Sequence, residues 1–320
     1  MIDETMFQRL GHGITVIDTG FYRPRFDASY LIVENGRGAF VDTGPNDAVP
    51  RLLAALEAQG LAPEAVDYVI ATHVHLDHAG GIGLLMQHLP NARLVIHPRG
   101  ARHMIDPSVL MEGARSVFGA EATERDYGEV VPVPAERVVT TSEGMVIELG
   151  GRPLRFMDTP GHARHHHCIW DEASRGWFTG DTFGIVYPEL QTPQGPYIVP
   201  ATAPPQFDQQ ALHESVSRLL ANDPRWMYLT HYGAVGEPKK LAVQFLRQID
   251  AMALAALELV AERNRHERLQ QAFADIYLEE LRRSGNTRPD AWLLDVLAVD
   301  LDLNAQGLAH WAEKTAERAQ

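Results

Sequence analysis

The sequence predicts an α/β fold followed by a helical extension, and three observations carry that expectation. Short β-rich runs alternate with helical runs over the first two thirds of the chain. Four of the β-rich runs lead directly to histidine or aspartate, as expected where an α/β scaffold presents functional side chains on short loops. Beyond residue 236 the strand signals stop and long helical periodicity takes over.

Residues 14–17, 28–33 and 38–41 are short β-rich runs broken by Gly, Asp and Pro, and they predict an antiparallel meander ending at Asp42. Val49, Leu52, Leu53 and Leu56 recur at helical spacing, and Gly60 stops that helix. Residues 68–71 form an apolar strand running toward His73. A helix over 80–89 and a strand over 92–96 follow, then a helical or irregular stretch over 100–128 without a clean period. Strands are expected again at 137–140, 145–149, 154–157, 165–170 and 176–178. The proline-rich segment 187–205 reads as a long surface loop. A helix over 207–220 and a strand over 226–229 lead to His231.

Leu241, Phe245, Ile249, Met252, Leu257 and Val260 define an amphipathic helix, with Pro238 suited to its first turn. Further helices are expected at 268–283, 289–299 and 304–317. The division this implies is a catalytic domain over 1–236 and a helical extension over 237–320. Trp292, Leu293, Val296, Leu297, Leu308 and Trp311 give the extension more apolar surface than isolated helices hide. It therefore reads as a cap or a homodimerisation element.

The 320-residue chain is 45% hydrophobic and 22% charged, which suits a globular protein with a full core. A net charge of −14 repels phosphate backbones and argues against nucleic acid as a partner. The single cysteine, Cys168, excludes an intrachain disulfide and a Cys-rich zinc or iron–sulfur site. It reads as a buried apolar filler rather than a nucleophile. Residues 1–10 do not read as a signal peptide, and no apolar run approaches the roughly 18 residues needed to span a bilayer. The expectation is a cytoplasmic protein with no membrane partner.

The most informative stretch is Thr72-His73-Val74-His75-Leu76-Asp77-His78-Ala79-Gly80-Gly81. Four potential ligands fall within six residues just after a strand. On a loop, His73 and His75 can face one point while Asp77 and His78 reach a second. Imidazole and carboxylate are the donors expected for zinc, and also for iron or manganese. Gly80 and Gly81 are expected to let the backbone pass near the ions into a helix. Among fifteen histidines isolated pairs mean little, but this cluster is not an isolated pair. Three further pieces follow strands: Thr159-Pro160-Gly161-His162, Gly180-Asp181 and Thr230-His231.

Taken in order, these motifs resemble the pattern of the metallo-β-lactamase superfamily over roughly residues 10–235, most of all its glyoxalase II (hydroxyacylglutathione hydrolase) and lactonase types. The resemblance implies an αββα sandwich with the site at one edge. By the same resemblance His73, His75 and His162 hold one metal, Asp77, His78 and His231 hold the other, and Asp181 bridges them. Histidine at position 75 is unlike the di-iron oxygen reductases of the superfamily. Aspartate at 181 is unlike classical β-lactamases, which usually place Cys there.

The implied chemistry is hydrolysis of a small ester, thioester, lactone or phosphodiester by a hydroxide bridging two ions, most simply zinc, with Asp77 and Asp181 the catalytic carboxylates. Metal coordination brings water from a pKa of about 15.7 toward about 7. Two divalent cations less two carboxylates and one hydroxide leave a net charge of about +1, which favours an anionic substrate or an oxyanionic transition state. Asp42 either orients a ligand histidine or caps the following helix. In the run His165-His166-His167 a strand would put His166 on the face opposite its neighbours, and His166 resembles the second histidine of the superfamily's Gly-His-x-x-Gly-His variants, which implies a place near the metals. Arg23, Arg25, Tyr30, Tyr187 and Tyr232 are candidates for substrate contact, Tyr232 foremost. Lys239 and Lys240 match no assigned role. Two other readings compete: a persulfide dioxygenase-like enzyme with one iron, and an interaction or signalling protein with a vestigial metal site. A ribonuclease Z-like phosphodiesterase is disfavoured by the acidic balance.

Overall fold

The computed structural model describes residues 6–203 and 205–318. Residues 1–5 of the opening segment and Pro204 of the 187–205 segment lie outside the described residues. The chain forms two compact units. One comprises the residues up to Asp158, His165–Gly180 and Arg225–Ala234; the other comprises Thr159–Arg164, Asp181–Pro224 and the residues from Val235 on.

The first unit is built on two sheets. One has seven strands in chain order: β1 (Phe7–Gly11), β2 (Ile14–Asp18), β3 (Ala28–Glu34), β4 (Arg37–Val41), β5 (Val66–Ala71), β6 (Arg93–Ile96) and β7 (Val138–Thr140). The expected antiparallel meander is present as β2 to β4, β1 adds a further antiparallel strand beside β2, and pairing is parallel from β4 to β7. β2 is buried along its whole length, and β3 and β4 over most of theirs, because both faces of the sheet are covered there. Along β3 and β4, Tyr30, Ile32, Ala39 and Val41 face an inner core, while Leu31 and Phe40 face an outer one. Helices α1 (Val49–Ala58) and α3 (Ile82–His88) close the outer core with Leu52, Leu56, Ile82, Leu85 and Met86. Between β5 and α3 lies one short helical turn, α2 (Leu76–Ala79).

The second sheet runs β13-β12-β11-β10-β9-β8, with β8 (Val146–Leu149), β9 (Arg152–Asp158), β10 (His167–Asp171), β11 (Gly176–Gly180), β12 (Trp226–Leu229) and β13 (Gly233–Val235). Leu154, Phe156, Ile169, Phe178 and Tyr228 of this sheet meet Tyr30, Ile32, Val41 and Ile70 in the inner core. The result is the αββα sandwich with a C-terminal helical extension that the sequence predicts.

The stretch 100–128, expected as helical or irregular, resolves into helices α4 (Pro98–Ile105), α5 (Ser108–Phe118) and α6 (Ala120–Tyr127), within that expectation. β1 and β13 were not legible in the sequence. β1 presents the half-exposed, partly charged run Phe-Gln-Arg-Leu-Gly, and β13 has only three residues.

In the second unit, Asp208 caps α7 (Gln209–Leu220) by accepting from the Ala211 amide at 3.0 Å. The extension forms α8 (Pro238–Glu258), α9 (Arg265–Arg283), α10 (Asp290–Val296) and α11 (Ala298–Arg318). Phe245, Ile249, Met252, Phe273, Leu293, Leu297 and Leu308 are fully buried, so helix packing absorbs much of the apolar surplus noted above. Segment 187–205 corrects the expectation of a surface loop. Tyr187, Tyr197, Ile198 and Val199 are fully buried. The Tyr197 hydroxyl donates to Gln248 Oε1 at 2.6 Å, and the Tyr187 hydroxyl to Asp300 Oδ1 at 3.2 Å. Proline here shapes a packed, irregular segment and does not signal exposure.

Candidate metal centre

In the first unit the ends of β4, β5 and β12 bring five of the predicted ligands together. Parallel pairing of β4 with β5 sets Val41 against Ile70, so Asp42 follows alongside the end of β5, and its amide donates to the Ile70 carbonyl at 2.8 Å. Asp42 is fully buried with φ of 55°, a left-handed conformation that aspartate tolerates better than most residues. Its Oδ1 accepts from the Thr72 amide at 2.8 Å. Its Oδ2 accepts from Thr72 Oγ1 at 2.8 Å and Thr230 Oγ1 at 3.0 Å, and lies 3.6 Å from His78 Nδ1. One carboxylate thus ties together the two strand ends that precede His73 and His231.

After Thr72 the chain runs through only three irregular residues before it turns helical. His75 stands at the N-terminus of α2, so Asp77 and His78 ride on a helical turn that begins before the glycines. A Cβ on Gly81 would lie 2.8 Å from the Pro45 carbonyl oxygen. The glycine pair therefore serves the close approach of α2 and α3 to the Gly44–Pro45 turn.

The ring nitrogens His73 Nε2 and His75 Nδ1 are 3.0 Å apart. The His73 and His78 rings are 4.2 Å apart, and His78 and His231 are 5.0 Å apart at right angles. Asp77 Oδ2 lies 3.4 Å from Nε2 of both His78 and His231. His231 Nδ1 donates to the Phe26 carbonyl at 2.8 Å, which leaves the Nε2 lone pair directed at the cluster.

Sequence reasoning missed Asp27. It is fully buried, and one carboxylate oxygen lies within 4.8 Å of ring nitrogens of His78 and His231. Burial pushes its carboxyl up to about 7, against the opposing pull of His231 and His78. The sequence offered only a weak signal, an acidic residue directly ahead of a mostly apolar strand.

The histidine run departs from simple alternation because β10 begins only at His167. His165 and His166 precede the strand, and both lie parallel to His73, at 6.2 and 5.0 Å between ring centres. His167 turns away to Thr141 Oγ1 at 2.9 Å.

The second unit carries the other two predicted ligands. His162 Nδ1 donates to the Ala201 carbonyl at 2.9 Å, and its Nε2 lies 3.5 Å from Asp181 Oδ2. Gly161, with φ of 141°, is required because a Cβ there would lie 2.4 Å from the Leu212 Cα of α7.

Other candidates fall differently. Tyr30 is buried in the inner core with its hydroxyl on the Leu229 carbonyl, and Tyr187 is buried as described, so both are structural. Arg25 is exposed, and Arg23 stacks over Phe26 at 4.9 Å. Tyr232 is half-buried, and burial pushes its phenol up to about 12. Lys239 pairs with Asp223 at 2.7 Å and Lys240 donates to the Gln194 carbonyl at 2.8 Å, both at the surface. Cys168 is fully buried.

Four imidazoles and an acidic oxygen gathered at such distances form the donor set of a divalent cation site. In the protein interior such a group of polar atoms is costly unless something satisfies it.

The two-sheet fold carries this histidine–aspartate cluster at its strand ends as a candidate metal centre. The model of the metallo-beta-lactamase superfamily matches residues 22–231, and the chain belongs to that superfamily. It is similar to an acyl-coenzyme A thioesterase of Gallus gallus, 29% identical over 56% of this chain and 64% of the relative. It is also similar to a hydroxyacylglutathione hydrolase of Xanthomonas euvesicatoria, 33% identical over 50% of this chain and 48% of the relative. The match spans about half to two thirds of the length of these relatives. A crystal structure of an archaeal superfamily protein from Sulfolobus tokodaii shares the fold, with a TM-score of 0.62, 22% identity, and coverage of 86% of this chain and all of that one. Among the described residues no helix is long and apolar enough to cross a membrane.

Proposed function

We propose that the protein is a dinuclear metal-dependent hydrolase of small thioesters. The carrying observation is the convergence of His73, His75, Asp77, His78 and His231 at adjoining strand ends, with His231 oriented through its far nitrogen. In this reading His73, His75, His162 and Asp181 serve one ion, Asp77, His78 and His231 serve the other, and Asp181 is shared. Zinc suits a set this rich in imidazole. Two bound divalent ions would lower the pKa of water toward about 7 and stabilise negative charge on the attacked carbonyl oxygen.

The protein's own part is positioning. The Phe26 and Ala201 carbonyls fix the tautomers of His231 and His162 so that each offers Nε2. Asp42 holds Thr72 and Thr230, and through them the histidines that follow each. Tyr232, next to His231, is assigned substrate contact as a neutral hydroxyl, since burial keeps its proton on well above neutral pH.

Among ester, thioester, lactone and phosphodiester substrates, the thioester is favoured by the relative named as a thioesterase. The helical extension is assigned a cap or homodimer role, and the cellular setting is assigned as cytoplasmic. The test is metal content by elemental analysis together with hydrolysis of acyl-coenzyme A, acyl-glutathione, oxygen-ester, lactone and phosphodiester substrates. We expect two ions per chain, thioester kcat/KM at least about tenfold above the others, and loss of activity on chelation. Asp181→Ala is expected to abolish turnover and to lower bound metal below two ions. Full activity in that variant, or activity indifferent to chelators, overturns the reading.

A further inference from the structure

Asp27 belongs to none of the four metal motifs, yet it lies among their side chains. It sits just before β3, in a segment pinned on both sides of the residue. The Thr19 amide donates to the Asp27 carbonyl at 3.1 Å, and the Ala28 amide donates to the Thr230 carbonyl at 2.7 Å. The carbonyl of the preceding residue, Phe26, takes the proton of His231 Nδ1. Asp27 is therefore locked to the strand end that presents His231.

The two carboxylate oxygens have different surroundings. Oδ2 accepts from Thr19 Oγ1 at 3.0 Å, while Oδ1 is buried and has no hydrogen-bond partner among the described residues. A group that merely anchored Thr19 would need only one of them. A buried carboxylate oxygen without a donor is costly unless a cation or a proton satisfies it. Its neighbours are the imidazoles of His78 and His231, within 4.8 Å ligand atom to ligand atom.

We propose that Asp27 is a further ligand of the ion held by Asp77, His78 and His231, giving that position two imidazoles and two carboxylates besides the shared Asp181. The proposal rests on the dinuclear reading above. It has two consequences. A third carboxylate lowers the net charge of the loaded site from about +1 to about zero, which weakens any preference for anionic substrates. A position at least half composed of carboxylate also accepts manganese or iron(II) more readily than one rich in imidazole.

The test is calorimetric titration of the metal-free full-length protein with Mn2+ and, separately, with Zn2+. Wild type is expected to take up two ions per chain. Asp27→Asn, close in shape and still able to accept from Thr19, is expected to weaken the second ion at least tenfold, more for Mn2+ than for Zn2+, and to leave the first unchanged. Asp27→Glu, which restores a carboxylate, is expected to recover much of that loss. Thr19→Val removes the hydroxyl but keeps the carboxylate, and it is expected to bind the second ion like wild type. Should Asp27→Asn not fold, Asp27→Ser gives the same reading.

Second-ion binding by Asp27→Asn indistinguishable from wild type overturns the inference while leaving the dinuclear reading intact. An equal loss in Thr19→Val also overturns it, by making Asp27 a support for the loop. Uptake of a single ion by wild type removes the second position, and both readings fall together.

Discussion

Asp42 has no place in the histidine motif, yet its four polar contacts make it the residue on which the first unit's ligands depend. Oδ1 takes the Thr72 amide, and Oδ2 takes two hydroxyls and faces His78 Nδ1. Asn in its place can adopt the same left-handed backbone, so strain is not the issue. It cannot accept through both of its terminal atoms, and it carries no charge to hold the His78 proton on Nδ1. Asp42→Asn is expected to lower metal affinity by about 10- to 100-fold and to cost about 2 kcal/mol of stability. Chelator competition and urea unfolding measure the two effects. Affinity within twofold of wild type would reduce Asp42 to a turn residue. The clustering of the candidate ligands was legible because His-x-His-x-Asp-His compresses four donors into six positions. Asp27 was not, because a lone aspartate beside Phe26 has no local pattern, and its neighbours are 51 and 204 positions away in the chain.

At the scale of elements, strands were legible where apolar runs were long enough to cover two faces, as in β3 to β6. They failed where a strand was short or half-exposed, as in β1 and β13. The start of β10 was misplaced by two residues, and that slip decides what the histidine run does. Since His167 is the first strand residue, it enters the sheet opposite Asp158 and is almost wholly buried. Its Nδ1 meets Thr141, its Nε2 has no hydrogen-bond partner among the described residues, and His97, 6.2 Å away between ring centres, is tied to Asp158 at 3.2 Å.

Burial, and then the neighbouring His97, push the His167 imidazole down to about 3. The folded state therefore keeps this ring neutral, while the unfolded chain protonates it below about 6.5. The stability it contributes is complete above about 6.5 and is lost as pH falls toward about 3, at about 1.4 kcal/mol per pH unit. Asp158, held below the usual carboxylate range chiefly by its hydrogen bond with His97, adds its own loss only at lower pH, below about 4. Comparing wild type and His167→Gln by urea unfolding between pH 6.5 and 4.5 isolates the histidine. The difference in stability between the two proteins is expected to move in favour of the variant by about 1.4 kcal/mol per pH unit of acidification. Parallel pH profiles would mean that the ring is protonated in the folded protein.

At the scale of the whole molecule, the helical extension is built into the same compact unit as the segments carrying His162 and Asp181. The sequence made the extension visible as periodicity but not its attachment, because the segment it grips, 187–203, looked like an exposed loop. The attachment is concentrated at Asn304 of α11, which is buried and uses its whole amide. Oδ1 accepts from the Thr202 amide at 2.6 Å and from Thr202 Oγ1 at 2.8 Å, while Nδ2 reaches the Pro200 carbonyl at 2.8 Å and the Tyr277 hydroxyl at 2.9 Å. A Cβ on Gly307, one turn further along, would overlap the Thr202 carbonyl, so the helix is pressed against the segment there. Between Pro200 and Thr202 lies Ala201, the residue whose carbonyl orients His162.

The extension therefore bears on the proposed metal ligand His162 through two hydrogen-bonded steps, from Asn304 to the 200–202 backbone and from Ala201 to His162. Asn304→Ala leaves buried donors at Thr202 and an acceptor at Pro200 without partners, at a cost on the order of 3 kcal/mol. If the carbonyl of Ala201 loses its position, His162 loses the partner that fixes its tautomer, and the ion assigned to His162 and Asp181 is expected to bind about tenfold more weakly. Thermal unfolding and metal titration of the full-length variant read the two effects separately. Lower stability with unchanged metal affinity would show that the extension supports the fold without reaching the metal centre.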